Sequence, residues 1–154
     1  MQKIFKQFSE LNKALIDASS IIYLDKAGFL QQLSETISLI TIQEIISETA
    51  LPDHQIHIIS SPVLHLSNDQ KLLSLALEQK LPIISEDRKI LKALENANMP
   101  FFNSLMMLLF LFYKKDFTIA EFLYFKNHLK SVARYSEKIW QFGDAVFLSI
   151  KNLS

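Results

Sequence analysis

No cysteine occurs in the chain, and glycine occurs only twice in 154 residues. The first absence excludes disulfide scaffolds, thiol catalysis and cysteine-held zinc. It is compatible with a reducing compartment, and a cytoplasmic location is the expectation. The second argues against β-rich folds with many tight turns and against glycine-rich phosphate loops. No GxGxxG or Walker-type run is present, so nucleotide binding by those devices is disfavoured. Long hydrophobic runs are missing too. The most apolar stretch, LMMLLFLFY at residues 105–113, has nine residues, where a membrane span needs roughly twenty; it reads as a buried helix. The N-terminal MQKIFKQFSELNKALID has no apolar core or small-residue cleavage site, so no secretory signal is expected. Net charge is absent as well, and a strongly basic nucleic-acid binder is not what the total suggests.

What is present is a globular composition, about half hydrophobic and a fifth charged, long enough for one domain with a substantial core. The charges are unevenly spread. Residues 1–113 carry nine Lys/Arg against twelve Asp/Glu, and residues 114–154 carry seven against four. That allows an acidic site in the first part and a phosphate-facing flank in the last.

The hydrophobic pattern switches period repeatedly. Ile4, Phe5, Phe8 and Leu11 fall at helical spacing. ALID is a brief buried strand, SSIIYLDKAG a helix stopped at Gly28, and FLQQLSET a short helix. ISLI is a second strand. TIQEIISETA is a helix with Ile42, Ile45 and Ile46 on one face, broken at Leu51-Pro52-Asp53. QIHIIS alternates as an edge strand, SPVLHL is loop, and SNDQKLLSLALEQK is a helix whose Ser67 and Gln70 fit a capping box. PIIS is a strand and EDRKILKALENAN a helix with Ser85 as its cap. PFF is a last short strand, and NSLMMLLFLFYKK, TIAEFLYFKNHLKSV and SEKIWQFGDAVFLSIKN are helices. Strands alternating with helices predict an α/β fold with a mainly parallel sheet of four to five strands flanked by helices, plus C-terminal helices.

In such sheets functional groups gather beyond the carboxyl ends of the strands. Four acids are placed for that edge: Asp17 at the end of the first strand, Glu44 just after the second, Asp69 in the first turn of the SNDQKLL helix, and Asp87 after the fourth strand. Singly, each has a plain reading, because acids favour helix starts. Jointly, in order, they suggest one acidic site.

At these residues the chain resembles the PIN domain family. Asp17-Ala18-Ser19 stands where the family has an acid, a small residue and Ser, Thr or Asn. ISLITIQEIISE resembles its second strand and helix, with Glu44 as the helix acid. In NDQKLLSLALE, Asp69 precedes Ala76 by seven positions, and in PIISEDRKIL, Ser85 precedes Asp87 by two. Glu86 beside Asp87 leaves open which carboxylate faces the site; spacing favours Asp87. The resemblance spans about residues 14–130, with an N-terminal helical extension at 1–13 and a C-terminal helix at 131–154 packed on the same domain.

The resemblance implies a three-layer PIN-like fold and a metal-dependent endoribonuclease, a hydrolase of RNA phosphodiesters. Asp17, Glu44, Asp69 and Asp87 would hold Mg²⁺ or Mn²⁺, with Ser19, Ser85 and Arg88 in support. Clustered carboxylates raise one another's pKa values, and a hard divalent cation offsets that charge. The implied partners are single-stranded or structured RNA, an antitoxin protein if the chain is the toxin of a toxin–antitoxin pair, and a second copy of the chain in a homodimer. No membrane is among them. The alternative is a catalytically inactive PIN-like module that binds RNA or protein. An aspartate-based phosphatase is disfavoured, since Ser19 stands where its second aspartate would be.

The remaining polar and aromatic residues are less informative. His54, His57, His65 and His128 are not at metal-binding spacing on one helix. Trp140 and Phe122, Tyr124 and Phe125 suit core packing better than base stacking, while Lys126, Lys130, Arg134 and Lys138 recur at about one-turn spacing and suit either a solvated face or a phosphate track.

Overall fold

The computed structural model describes residues 1–51, 56–63 and 65–153. The expected break at Pro52-Asp53, together with His54, Gln55 and Leu64, lies outside the described residues. Among those described, helices α1 (Gln2–Glu10), α2 (Ala18–Ala27), α3 (Leu30–Thr36), α4 (Gln43–Thr49), α5 (Asn68–Gln79), α6 (Arg88–Asn96), α7 (Ser104–Tyr113), α8 (Ile119–Val132) and α9 (Glu137–Lys151) surround five strands. These are β1 (Lys13–Ile16), β2 (Ser38–Ile42), β3 (Ile56–Ile59), β4 (Ile83–Ile84) and β5 (Phe101–Phe102). Every strand pair is parallel, and the order is β3-β2-β1-β4-β5.

Ala14, Leu15 and Ile16 of β1 are completely buried. A central parallel strand must be covered on both faces, and this one reads as an uninterrupted apolar run for that reason. The sheet is therefore the middle of three layers, as the strand–helix alternation predicts. At one edge β3 keeps only Ile56 buried. Registry is set by apolar residues of the core: Leu15 lies opposite Ile40 on one side and Ile83 on the other.

The apolar segment at 105–113 is indeed a buried helix. Within α7, Leu105 and Met107 through Leu111 are all buried, and no helix among the described residues is long and apolar enough to cross a membrane. A helix apolar all round needs partners all round. Helices α2, α3, α8 and α9 and strand β5 supply them. The two ends of the chain join the same core. Phe8 of α1 meets the rings of Phe102, Phe110 and Tyr113 at 5.5–6.2 Å, and Phe112, Phe122 and Phe147 pack α7, α8 and α9 ring against ring at 4.6–5.3 Å. Trp140 is buried and Phe125 packs on Phe29 and Phe117, whereas Tyr124 is 58% exposed.

Both glycines have steric reasons. A Cβ on Gly143 would come within 2.8 Å of Leu105 Cδ2, so α9 approaches α7 closely there. Gly28 ends α2 at φ +96°, where its N–H donates to the carbonyls of Leu24 and Asp25. Its surroundings leave room, with Phe125 Cε1 at 3.5 Å from where a Cβ would sit. Gly28→Ala is therefore expected to cost about 1–2 kcal/mol from backbone strain alone, read as a lower urea midpoint with an unchanged slope. A variant as stable as the parent would contradict the left-handed cap.

Candidate active site

The strand order reverses direction between β1 and β4, and a crevice opens beyond their carboxyl ends. This is where α/β sheets bind ligands. Asp17 is the first residue past β1. Its N–H donates to the Ile84 carbonyl at 3.0 Å, which ties it to β4. Its side chain caps α2 by accepting the Ala18 N–H at 2.8 Å through Oδ1, and Oδ2 accepts the Ser85 hydroxyl at 3.0 Å. Asp17 is only 6% exposed and Ser85 is completely buried. Ser85 Oγ in turn accepts the Asp87 N–H at 3.0 Å. One hydroxyl thus sets the spacing of two acids.

The sequence assigned the cap of α6 to Ser85. The structure gives it to Asp87, whose Oδ1 accepts the Lys89 N–H at 2.8 Å. Ser85 sits too deep, one residue beyond β4, and its hydroxyl is already committed to Asp17 and Asp87.

Asp17, Ala18, Ser19, Glu48, Asp69, Glu86 and Asp87 line an open cleft of about 370 Å³. Asp17, Asp69, Asp87 and Ser19 are thus brought to one cleft from strand ends and helix starts. Glu44 is not. It is half-exposed, with Oε2 3.9 Å from the buried Lys71 Nζ. The acid that α4 contributes is Glu48, one turn further on, which accepts a hydrogen bond from Asn68 Nδ2 at the start of α5. Arg88, the first residue of α6, is exposed and does not line the cleft. Of the histidines described, His57 and His65 are exposed, and His128 Nδ1 lies 2.9 Å from the Tyr124 carbonyl oxygen on its own helix.

Glu86 turns out to be tied down. Its carboxylate accepts the Ser20 hydroxyl, the Ser104 hydroxyl at 2.9 Å, the Ser104 N–H at 3.1 Å and the Tyr135 hydroxyl. Burial first, then the negative charge of Glu86, pushes the Tyr135 hydroxyl above the ordinary tyrosine range, so Tyr135 remains a donor.

The acids feel one another. Burial is the largest influence raising the Asp17 pKa; the hydrogen bonds from Ala18 and Ser85 oppose it, and the charges of Asp87 and Glu48 add to it. Asp69 is raised by partial burial, then by the charges of Asp17 and Asp87, by a hydrogen bond with the Asp87 carboxyl, and by Glu48. Like charges sharing a site disfavour the ionised form.

Two observations bear on a cation. Among the described residues no three Asp, Glu or His side chains stand close enough together to make a formed metal site. Yet the donor set is hard carboxylate oxygen, which suits Mg²⁺ or Mn²⁺ held in part through water. Ser19 Oγ is buried with no hydrogen-bond partner among the described residues, on a residue that lines the same cleft. A buried hydroxyl without a partner is costly and marks a place for a ligand or water. The residues fit a hydrated divalent ion. No protein-family model matches the chain, and a search of the curated proteins finds no match.

Proposed function

We propose that the chain is a metal-dependent ribonuclease of the PIN-domain kind, with the toxin of a toxin–antitoxin pair as a role to be tested separately. The observation that carries this reading is the assembly of Asp17, Asp69, Asp87 and Glu48 around one cleft at the β1/β4 crossover. These four would hold Mg²⁺ or Mn²⁺, directly or through water. Bound there, the ion would supply Lewis acidity toward a phosphoryl oxygen and a water molecule. Ser85 orients Asp17 and Asp87 together. The Ser19 hydroxyl is buried without a partner among the described residues, and turned out toward the cleft that its residue lines it would donate to a phosphate oxygen. Glu86 is spent on four donors and holds the cleft wall.

The test is cleavage of single-stranded RNA in Mn²⁺ or Mg²⁺ against EDTA. Glu48→Gln is expected to lower the rate at least about tenfold, the smaller effect of losing an outer partner of a metal. Glu44→Gln is expected to change it less than about threefold. The reverse order would return the helix acid to Glu44. Growth arrest on expression, relieved by Asp87→Asn, tests the toxin role. A second reading, a PIN-like module that binds RNA or protein without turnover, draws on the absence of a formed three-ligand group among the described residues. No cleavage and no thermal stabilisation at millimolar Mn²⁺ would favour it.

A further inference from the structure

A second polar cleft, of about 430 Å³, opens between α2 and the end of α8. Lys26, Lys130 and Arg134 line it, with Tyr23, Ile22 and Ser131, and no acid is part of its lining. Among the described residues none of the three cations has a carboxylate within ion-pair distance; Lys126, by contrast, pairs with Asp144 at 2.6 Å. Lys130 Nζ is held 5.2 Å from the Trp140 ring centroid. Two helices end beside this cleft, α2 at Ala27 and α8 at Val132. Their C-termini each contribute about half a negative charge, which leaves roughly two of the three positive charges unmatched.

The cleft is aligned with the acidic one. Ser19, Tyr23 and Lys26 are spaced four and three residues apart on α2, so they share one helix face. Ser19 lines the acidic cleft and Tyr23 and Lys26 line the basic one. The seven residue steps from Ser19 to Lys26 span about 10 Å, the reach of about three stacked nucleotides. The Tyr23 ring, edge-on to Tyr135 at 6.4 Å, is only partly buried and offers a face to a base.

We propose that this cleft is a phosphate subsite: Lys26, Lys130 and Arg134 hold a backbone phosphate of a single-stranded RNA whose neighbouring segment lies in the acidic cleft, with Tyr23 as the stacking surface between. The inference rests on the ribonuclease reading for its choice of ligand. The cations also give the strand something the acidic cleft cannot, since its carboxylates without a cation repel phosphate.

Binding of a short fluorescein-labelled single-stranded RNA, followed by anisotropy in EDTA, tests the subsite without cleavage. Lys26→Ala with Arg134→Ala is expected to weaken binding about tenfold at moderate salt and to flatten the log–log salt slope by about one. Lys3→Ala with Lys6→Ala removes the same charge from α1 and is expected to have little effect. Lys26→Glu should weaken binding more than Lys26→Ala, and Tyr23→Ala should weaken it with the salt slope unchanged. Melting temperatures check that the fold is intact, above all for Tyr23→Ala, whose ring packs on Tyr135. Equal losses from the α1 pair and the Lys26/Arg134 pair would overturn the subsite, as would no RNA binding at all. Pocket-dependent binding to anionic lipid vesicles in place of RNA would overturn it too. The two readings fail separately. RNA bound through Lys26 and Arg134 but never cut in Mn²⁺ supports the subsite and removes the nuclease. RNA cut by the Lys26/Arg134 variant at the parent rate under subsaturating conditions removes the subsite and keeps the nuclease.

Discussion

Asp17→Asn is expected to raise the melting temperature of the metal-free protein at neutral pH and to abolish RNA cleavage in the same step. Asp17 is buried, and its carboxyl pKa is lifted above the ordinary 3.8, first by that burial and then by Asp87 and Glu48, against the hydrogen bonds from Ala18 and Ser85. A carboxyl whose folded pKa is raised binds its proton more tightly folded than unfolded. The stability it contributes is complete below the ordinary value and is lost as pH rises through the folded one. Asparagine does not titrate and keeps an oxygen for the Ala18 N–H. The variant should therefore gain on the parent as pH climbs above 3.8, with the gain level once Asp17 is ionised. Thermal melts in EDTA across that window measure it. Mn²⁺ should invert the order, since a cation held at a hundred times its Kd stabilises the parent by about 2.7 kcal/mol. Cleavage should fall by at least about 100-fold, the upper end of what losing an outer partner of a metal costs. A variant that melts below the parent in EDTA at neutral pH would mean that the hydrogen bonds to Asp17 outweigh its burial and its like-charged neighbours.

Glu86→Ala is expected to be the most destabilising single change near the cleft. The carboxylate joins four separate pieces of the fold: β4, α2 through Ser20, the start of α7 through Ser104, and the α8–α9 connection through Tyr135. Ser20 and Ser104 are completely buried, so water cannot readily take the place of the acid. Each buried donor left without a partner costs about 1–3 kcal/mol, although serine hydroxyls can rotate toward backbone carbonyls. A loss of about 3–4 kcal/mol is expected. Tyr135→Phe removes one hydrogen bond to a charged group and should cost about 1.5–2 kcal/mol. Urea unfolding with constant slope reads both. A loss below about 1 kcal/mol for Glu86→Ala would mean that the wall of the cleft is held by packing alone.

The fold was legible because its strands are short apolar runs cut off by polar residues. Ala14–Ile16 stops at Asp17, and Ile83–Ile84 stops at Ser85. Those stops also reveal Asp17 and Asp87, because a strand end and a helix start are local events. The order in which the strands lie is not local, and nothing in the spacing places β4 beside β1. Glu44 and Glu48 show the same limit. They are four residues apart on one helical face, so periodicity cannot rank them. Which turn of α4 reaches the cleft depends on how that helix packs on α2, and Lys71 takes the other acid. Glu86 was visible but not interpretable. Its partners lie 66, 18 and 49 residues away, a set that only the folded chain assembles.

The Tyr135 contact also imposes a timetable on synthesis. All five carboxylates of the cleft have been translated by residue 87, but the hydroxyl that completes the Glu86 clamp arrives 48 residues later. At about 5–20 residues per second that is a delay of about 2–10 s. Through that interval a growing chain carries its acids without the tyrosine that locks the neighbouring wall, and without the helix that covers α7. Tyr135, among the last parts of the core to be made, is what fastens the Glu86 wall of a cleft whose acids are already in the chain.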